Sequence, residues 1–267
     1  MKIPEGDGIY FCKTGQFDVF TLVESERDGN TGIIPDADEA VIKRYIPASG
    51  FKHSTNAFLI KTLERNILVD TAFGEAVFDR IKIAGVEPEE VDAVLITHLH
   101  GDHIGGLQKD GRALFPKAKI YLSAREHEYF TKTNVNAGAV AALAPYGGNV
   151  ITFEPSSPGG VLREILPGIS PIASYGHTPG HTAFLLENDG GKFIIAGDFL
   201  HIALIQFPVP EISASYDMDR REAAASRRAL MEYAAKNKIQ IGGMHLVYPG
   251  VGNVEAGGSG FRFVPSR

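Results

Sequence analysis

Three histidines and an aspartate lie within one six-residue stretch, at His98, His100, Asp102 and His103. The stretch directly follows the apolar run 93–97, which is typical of a buried strand. Side chains alternate along an extended chain, so His98 and His100 point the same way, and Gly101 permits a turn after them. Imidazole nitrogens and carboxylate oxygens are common ligands of divalent metals. The stretch therefore predicts a metal site at a strand end, with enough ligands to serve two ions.

Further ligand-type side chains follow other predicted strands. They are His177 and His181 in the segment 176–181, Asp198 after the apolar run 193–197, and His245 after the run 239–244. We expect these side chains to meet the first four on the rim where the strands end. Histidine and carboxylate ligands suit zinc, and also Mn, Fe or Co, so the residue types leave the metal open.

These motifs resemble those of the metallo-β-lactamase-fold hydrolases. The resemblance rests on His98-x-His100-x-Asp102-His103, Gly176-His177-Thr178-Pro179-Gly180-His181, Gly197-Asp198 and His245, and it extends over most of the chain from about residue 8. Within that superfamily, the segments 197–201, 245–255 and 260–265 are similar to methyl parathion hydrolase and quorum-quenching lactonase relatives. The resemblance implies an α/β (α+β) fold of four αββα layers, with two mixed sheets and helices outside, in a single domain over residues 1–267.

The resemblance also implies a role for each ligand-type residue. His98, His100 and His177 would hold one divalent ion, Asp102, His103 and His245 would hold a second, and Asp198 would bridge both. The expected cofactors are thus two divalent ions, zinc foremost, with Mn, Fe or Co as alternatives.

Two divalent ions and two carboxylates would leave a positive site that ionises water near neutral pH. The predicted reaction is attack by a metal-bridging hydroxide on a small ester, lactone or phosphotriester. The predicted catalytic residues are Asp198, which could carry a proton toward the leaving group, Asp102 and His201. The last could donate to the substrate or merely pack.

Other functions of the fold stay open, namely a nuclease, a thioesterase, or a non-catalytic metal-binding or sensory protein. His100 stands where flavodiiron relatives carry glutamate, which speaks against an oxygen or nitric oxide reductase. The single cysteine, Cys12, lies outside the motifs, which speaks against zinc β-lactamases with a cysteine ligand. Because all seven ligands are His or Asp, an open, catalytic metal site is favoured over a closed structural one.

Three more residues have expected supporting positions. His181 is expected to be a hydrogen-bonded turn residue, because His177 already fills the ligand position. Asp70 ends the run 67–69, and the resemblance implies that it supports a metal-bound histidine. His53 is expected to have a structural role near the rim.

Composition limits the partners. The chain has 267 residues, 44% hydrophobic and 22% charged, which is typical of a globular protein. A net charge of −6 argues against a nucleic-acid partner, so we expect a small-molecule substrate. A single cysteine, no signal-peptide pattern at residues 1–8 and no apolar stretch near 18 residues predict a cytoplasmic protein without a membrane partner. A homodimer is left open.

Apolar periodicity predicts the elements that must position these residues. They are a hairpin of 57–60 and 67–69, a helix over 75–84, strands over 93–97 and 119–122, a helix through 126–128, a hairpin of 182–187 and 192–196, a helix over 219–236 and a strand over 239–244. The Gly- and Pro-rich region 133–168 predicts loops around short strands near 150–153 and 161–165.

Overall fold

Two mixed β-sheets lie face to face in the computed structural model, which describes residues 8–267. The first sheet has seven strands in the order β1-β2-β3-β4-β5-β8-β9. These strands are β1 (Ile9–Thr14), β2 (Phe17–Asp28), β3 (Lys52–Lys61), β4 (Asn66–Val69), β5 (Val91–Leu95), β8 (Lys119–Ser123) and β9 (Val150–Phe153). The short β6 (Gln108–Lys109) and β7 (Arg112–Ala113) form a separate hairpin. β4, β5, β8 and β9 run parallel to one another, so their carboxyl ends lie at one edge.

The second sheet has six strands in consecutive order. They are β10 (Ile169–Ala173), β11 (Thr182–Asn188), β12 (Gly191–Ile195), β13 (Gln240–Gly242), β14 (Val251–Gly257) and β15 (Gly260–Pro265). β11 and β12 form the predicted hairpin, in which Asp189 and Gly190 both take positive φ, as a two-residue hairpin turn requires. β12 and β13 pair in parallel, so both strands deliver the chain to the same edge.

Within residues 8–267, seven α-helices surround the two sheets. They are α1 (Glu39–Tyr45), α2 (Val77–Ile83), α3 (Gly101–Ile104), α4 (Ala124–Glu128), α5 (Ala137–Leu143), α6 (Ala203–Gln206) and α7 (Arg220–Asn237). Of these, α2, α5 and α7 pack on the outer faces of the sheets. One apolar cluster lies between the sheets and includes Phe58 and Phe193. A second joins the first sheet to α2 and α5, and a third joins the second sheet to α7. The predicted four-layer αββα arrangement is confirmed.

The region 133–168 differs from its prediction. The strand near 150–153 is present, but residues 161–165 form no strand, and Val161 is 88% exposed, so it has no sheet face to cover. The segment before the 150–153 strand, which was expected to be a loop, contains α5. This helix has the sequence Ala137-Gly138-Ala139-Val140-Ala141-Ala142-Leu143, and it begins after Asn136, whose side-chain oxygen accepts a hydrogen bond from Ala139 N–H. High alanine content therefore outweighed the neighbouring glycines.

Residues 1–7 lie outside the described part, and with them most of the segment that predicted no signal peptide. The single domain over residues 1–267 likewise stays a prediction. Among residues 8–267, no helix combines the length and the apolar character needed to cross a bilayer.

Candidate metal centre

Three histidines converge at the edge where the strands end, and we call them the three-histidine group. His98 and His100 follow β5, and His177 follows β10. His98 Nε2 lies 3.0 Å from His100 Nδ1, which in turn lies 3.1 Å from His177 Nε2. The three nitrogens are close enough to bind a single cation.

Asp102, His103, Asp198 and His245 form a second set of ligand-type residues, the carboxylate group. Asp102 and His103 belong to α3, Asp198 follows β12 and His245 follows β13. His245 Nε2 lies 2.9 Å from Asp198 Oδ2, and His103 Nε2 lies 3.2 Å from Asp198 Oδ1. The structure thus brings together all seven side chains that the sequence predicted as ligands.

Asp198 lies between the two groups. Its Oδ2 is 3.4 Å from His177 Nε2 and 3.8 Å from His98 Nε2. The backbone N–H of Asp198 donates to His181 Nε2 over 2.9 Å, and His181 Nδ1 donates to the Ser174 carbonyl over 2.8 Å. His181 is therefore a hydrogen-bonded support, as expected. An added Cβ at Gly197, whose φ is +60°, would lie 2.5 Å from His181 Nε2, so this support needs glycine there.

Asp70 supports the carboxylate group. Its Oδ2 accepts from His103 Nδ1 over 2.6 Å and from the Thr97 hydroxyl over 2.6 Å, and its Oδ1 accepts from Thr97 N–H over 2.8 Å. Asp70 is fully buried with a φ of 55°. The carboxylate fixes the proton of His103 on Nδ1 and so aims Nε2 at the centre, as the resemblance implied.

Asp217 supports the three-histidine group. Its Oδ1 accepts from His177 Nδ1 over 2.9 Å, and its Oδ2 accepts from Arg227 Nη2 over 2.9 Å. The Arg227 side chain is buried in α7, where it also donates to the carbonyls of Phe199, Pro210 and Ile212. Burial opposes ionisation of Asp217, but His177 and Arg227 lower the pKa of its carboxyl group to about 2. The His177 ring is thus oriented by a permanently charged pair.

Glu126 holds the two histidine-bearing loops to each other. This buried residue of α4 accepts from Leu99 N–H over 2.9 Å, from the Thr178 hydroxyl over 2.8 Å and from Gly180 N–H over 2.8 Å. The loop approaches α4 so closely that a Cβ at Gly180 would lie 2.3 Å from the Glu126 nitrogen. The second glycine of the segment 176–181 is therefore a packing requirement.

His201 and His53 complete the lining. His201 Nε2 lies 3.4 Å from Asp198 Oδ2, and His177, Asp198 and His201 are also close enough to share a cation. Besides the two predicted roles of His201, substrate contact and packing, the structure thus adds a third candidate role as a metal ligand. The His53 ring stacks on His245 at 4.5 Å between centroids, which brings it into the wall of the site and not merely near the rim.

The two groups differ in the direction in which the pKa values of their histidines are shifted. Burial lowers the pKa of His98 well below its ordinary value, and burial together with His177 lowers the pKa of His100 to about 4. Burial also opposes protonation of His103 and His245, but Asp198 and Asp102 outweigh it and raise the pKa of both rings. In turn, His103 and His245 hold the pKa of Asp198 well below its ordinary value against the effect of burial.

Two cavities meet at the centre. One, of about 490 Å³, is lined by His100, Asp102 and Asp198 together with Arg27, Phe73 and Tyr216. The other, of about 830 Å³, is lined mainly by apolar side chains, including Leu204, Phe207 and Phe263. His201 and His245 line both cavities, so their rings lie between a polar space and an apolar one.

The sequence matches a family model along residues 50–238, and the family is described as the metallo-beta-lactamase superfamily. The chain belongs to the metallo-beta-lactamase superfamily. Among solved structures, the hydrolase AbOPH of the beta lactamase superfamily superposes with a TM-score of 0.87 at 28% identity, covering 97% of this chain and 98% of that one. The dizinc quorum-quenching lactonase AidC superposes with a TM-score of 0.86 at 23% identity over the same shares, which supports the fold.

Curated relatives within the metallo-beta-lactamase superfamily match shorter stretches. The uncharacterized protein YobT of Bacillus subtilis is 27% identical over 145 residues, or 54% of this chain and 60% of that protein. The exodeoxyribonuclease WalJ of Streptococcus pneumoniae is 33% identical over 101 residues, or 36% of this chain and 37% of that protein. The family and its structural neighbours identify the domain as that of a metal-dependent hydrolase, as predicted.

Sequence reasoning missed the carboxylates that lie behind the metallo-beta-lactamase ligand set. Asp217 lies in a loop before α7, where no periodic pattern applies. Glu126 lies in the predicted acidic helix, which gives no sign of burial. Arg227 had a usable signal, since it shares one face of α7 with the buried Leu230 and Ala234. A charged residue at such a spacing predicts a buried partner.

Proposed function

We propose that this protein is a binuclear metal-dependent hydrolase that opens a small ester or lactone. His98, His100 and His177 would hold one divalent ion, Asp102, His103 and His245 would hold the other, and Asp198 lies between the two groups. The observation that carries the proposal is the position of the Asp198 carboxylate, within 3.4 Å of His177 on one side and within 2.9 Å of His245 on the other.

The residues fit a pair of cations. His103 Nε2 and Asp198 Oδ1 are buried and face each other over 3.2 Å, yet neither has a hydrogen bond of good geometry to any residue from 8 to 267, so a cation between them would satisfy both. Every candidate ligand is an imidazole or a carboxylate, the set that zinc prefers and that Mn, Fe or Co also accept.

Two such cations, when bound, supply an ionised water at neutral pH and stabilise negative charge on the substrate oxygen. The protein's own task is to hold the ligand atoms rigidly and in the right protonation state. Asp70 fixes the tautomer of His103 and Asp217 fixes that of His177. His103 and His245 hold the pKa of Asp198 well below its ordinary value, so it is an anion suited to hold the cations, and carrying a proton toward the leaving group is its second proposed role. Asp102 is the more accessible of the two carboxylates and remains ionised.

His201 is the side chain that contacts the substrate. Burial lowers the pKa of its ring to about 4, so it is neutral near pH 7. Its buried Nδ1 is without a hydrogen-bond partner in the range 8–267, and the ring lies where the two cavities meet. Asp198 Oδ2 lies 3.4 Å from His201 Nε2 and favours the tautomer with the proton there, so Nδ1 of the neutral ring accepts one hydrogen bond from the substrate.

The cavities favour a small substrate with an apolar part. About 490 Å³ of polar space beside about 830 Å³ of apolar space suits an acyl or aryl group attached to an ester or lactone. AidC, a lactonase of the same fold, is a relative in structure with such a substrate. Of the described residues, Arg27 is the single Arg or Lys that lines the polar cavity, too few cations to follow a nucleic-acid backbone. A phosphotriester is the alternative small substrate.

The test is a substrate panel on zinc-loaded protein, with metal content measured in the same samples. We expect turnover of aryl esters or acyl lactones that a chelator removes and added zinc restores. Turnover of single-stranded or duplex DNA in place of these compounds would assign the nuclease function instead. Two bound ions with no turnover of any compound would overturn the hydrolase proposal in favour of a binding role.

A further inference from the structure

An extra residue in β2 changes which side chains reach the polar cavity. β2 and β3 pair in register until Val23 opposes Asn56, and pairing resumes with Ser25 opposite Thr55, which leaves Glu24 as the inserted residue. Strict alternation from Phe20 and Leu22 would bring Glu24 and then Glu26 to the face of His53 and Thr55. The bulge shifts that alternation by one residue and brings Ser25 and Arg27 there instead.

The displaced glutamate is used elsewhere. Glu24 is buried and accepts from the backbone N–H of Glu75 over 2.7 Å and from that of Val77 over 2.7 Å, at the start of α2. The bulge is thus held in place by an anion at a helix start. Its effect on the cavity wall is to replace two carboxylates by a hydroxyl and a guanidinium.

Four side chains now form a polar strip along the wall, namely Ser25, Arg27, His53 and Thr55. His53 Nε2 is buried and, as far as the structure describes the chain, makes no hydrogen bond. Arg27 forms no ion pair with any residue from 8 to 267, and its Cζ lies 6.0 Å from the ring centroid of Phe73 at the cavity mouth. The strip therefore offers a cation and hydrogen-bonding side chains that the protein itself does not use.

We infer that this strip binds a carboxylate carried by the non-reacting end of the substrate, with Arg27 as its main contact. This binding role rests on the proposed hydrolase function. The substrate class is then an ester or lactone with one free carboxylate. A guanidinium pairs with a carboxylate through two parallel hydrogen bonds. One cation matches a single negative charge, whereas a phosphate monoester brings nearly two. Strict alternation would have brought carboxylates to the same wall, and they would repel this ligand.

Two esters that differ in one carboxylate test the strip. We would compare mono-4-nitrophenyl glutarate with 4-nitrophenyl pentanoate on zinc-loaded full-length protein, as the ratio of their kcat/KM values. Arg27→Gln is expected to lower that ratio about fivefold, mainly through KM of the glutarate ester, since the contact is partly exposed. Arg27→Lys should retain part of the preference. Arg163→Gln is the matched control, an exposed arginine outside both cavities, and should leave the ratio unchanged.

Equilibrium binding separates this inference from the proposed function. Calorimetry of zinc-loaded protein with glutarate and with pentanoate measures the effect of the second carboxylate without turnover. Tighter binding of glutarate, reduced about fivefold in Arg27→Gln, supports the strip even if no ester is hydrolysed. Equal ratios and equal binding in the unaltered protein and in Arg27→Gln would overturn it, whereas absence of all hydrolysis counts against the proposed function alone.

Discussion

The three-histidine group and the carboxylate group lie side by side, yet they are prepared for a cation in opposite ways. In the first, burial lowers the pKa of His98 and His100, so both rings are neutral ligands before any cation arrives. In the second, Asp102 and Asp198 raise the pKa of His103 and His245. These rings therefore take up protons more readily than ordinary histidines, and a cation must compete with those protons.

A protein can thus obtain a neutral ligand set and an anionic one from the same few residue types. Asp198 makes the difference, because both of its oxygens approach the rings of His103 and His245 more closely than they approach His98. One half of the centre is stabilised by its lack of charge and the other by charge pairing.

Removal of Asp198 should disable both halves. We expect Asp198→Ala to lower turnover by at least about 10³-fold, equivalent to about 4 kcal/mol of lost transition-state stabilisation, and to lower bound metal measured by elemental analysis. Asp79→Ala, at an exposed site on α2, is the control. Full turnover with two ions bound in Asp198→Ala would contradict the assignment.

Removal of Asp217 should destabilise the fold beside the three-histidine group. Asp217→Ala leaves the buried Arg227 without its carboxylate, and we expect the free energy of unfolding to fall by about 3 kcal/mol. Denaturant unfolding of the metal-free protein measures this loss separately from metal binding. Asp217→Asn keeps an acceptor oxygen for Arg227 but removes the charge, so it should lose nearly as much stability as Asp217→Ala; unchanged stability in Asp217→Asn would show that the buried charge is not the cause.

Two isosteric changes should weaken one half each. Asp217→Asn changes the partner of His177, and Asp70→Asn changes the partner of His103. We expect each to lower the affinity of its own group for zinc by about 10- to 100-fold. Competition with a chromophoric chelator resolves the two binding steps. Equal weakening of both steps in both variants would show that the halves do not act separately.

The pH dependence should differ between the binding steps. Because a raised histidine pKa means that a proton competes with the cation, affinity of the carboxylate group should fall as pH falls, by up to about tenfold per pH unit for each proton displaced. At His98 and His100, by contrast, burial lowers the pKa, so competition from protons at these two ligands should begin only as the pH approaches the His100 value of about 4. Calorimetry in buffers of different ionisation enthalpy counts the protons released, and equal counts for both steps would contradict the comparison.

The convergence of the seven candidate ligands could be predicted from the sequence because their chemistry and their chain context agree. Each of the seven follows an apolar strand pattern, and the parallel pairs β4-β5 and β12-β13 make the strand ends coincide. The four layers followed from the same motifs. The helix over 219–236 also matches α7, whose Asp219 accepts from Glu222 N–H as a helix cap.

The residues that support the ligands were harder to predict, because their contacts span long separations in sequence. Asp217 reaches His177 across 40 positions and Glu126 reaches Gly180 across 54. The positions of Ser25 and Arg27 in the polar strip could not be predicted for a different reason. A bulge in β2 reverses the direction in which every later residue of the strand faces, and it leaves no mark in the apolar pattern. The loop prediction for the region 133–168 was wrong at α5, because the helix propensity of its alanine-rich run outweighs the effect of the neighbouring glycines and prolines.

The grip of Glu126 on Leu99, Thr178 and Gly180 has a practical consequence for handling the protein. A carboxyl group of the protein, not a bound metal, ties the histidine-bearing loops together, so we expect the loops to keep their places when no cation is bound. A sample dialysed free of metal should thus bind added metal ions on simple mixing, without a denaturation and renaturation cycle. Exchange of one metal for another then becomes a bench-top operation.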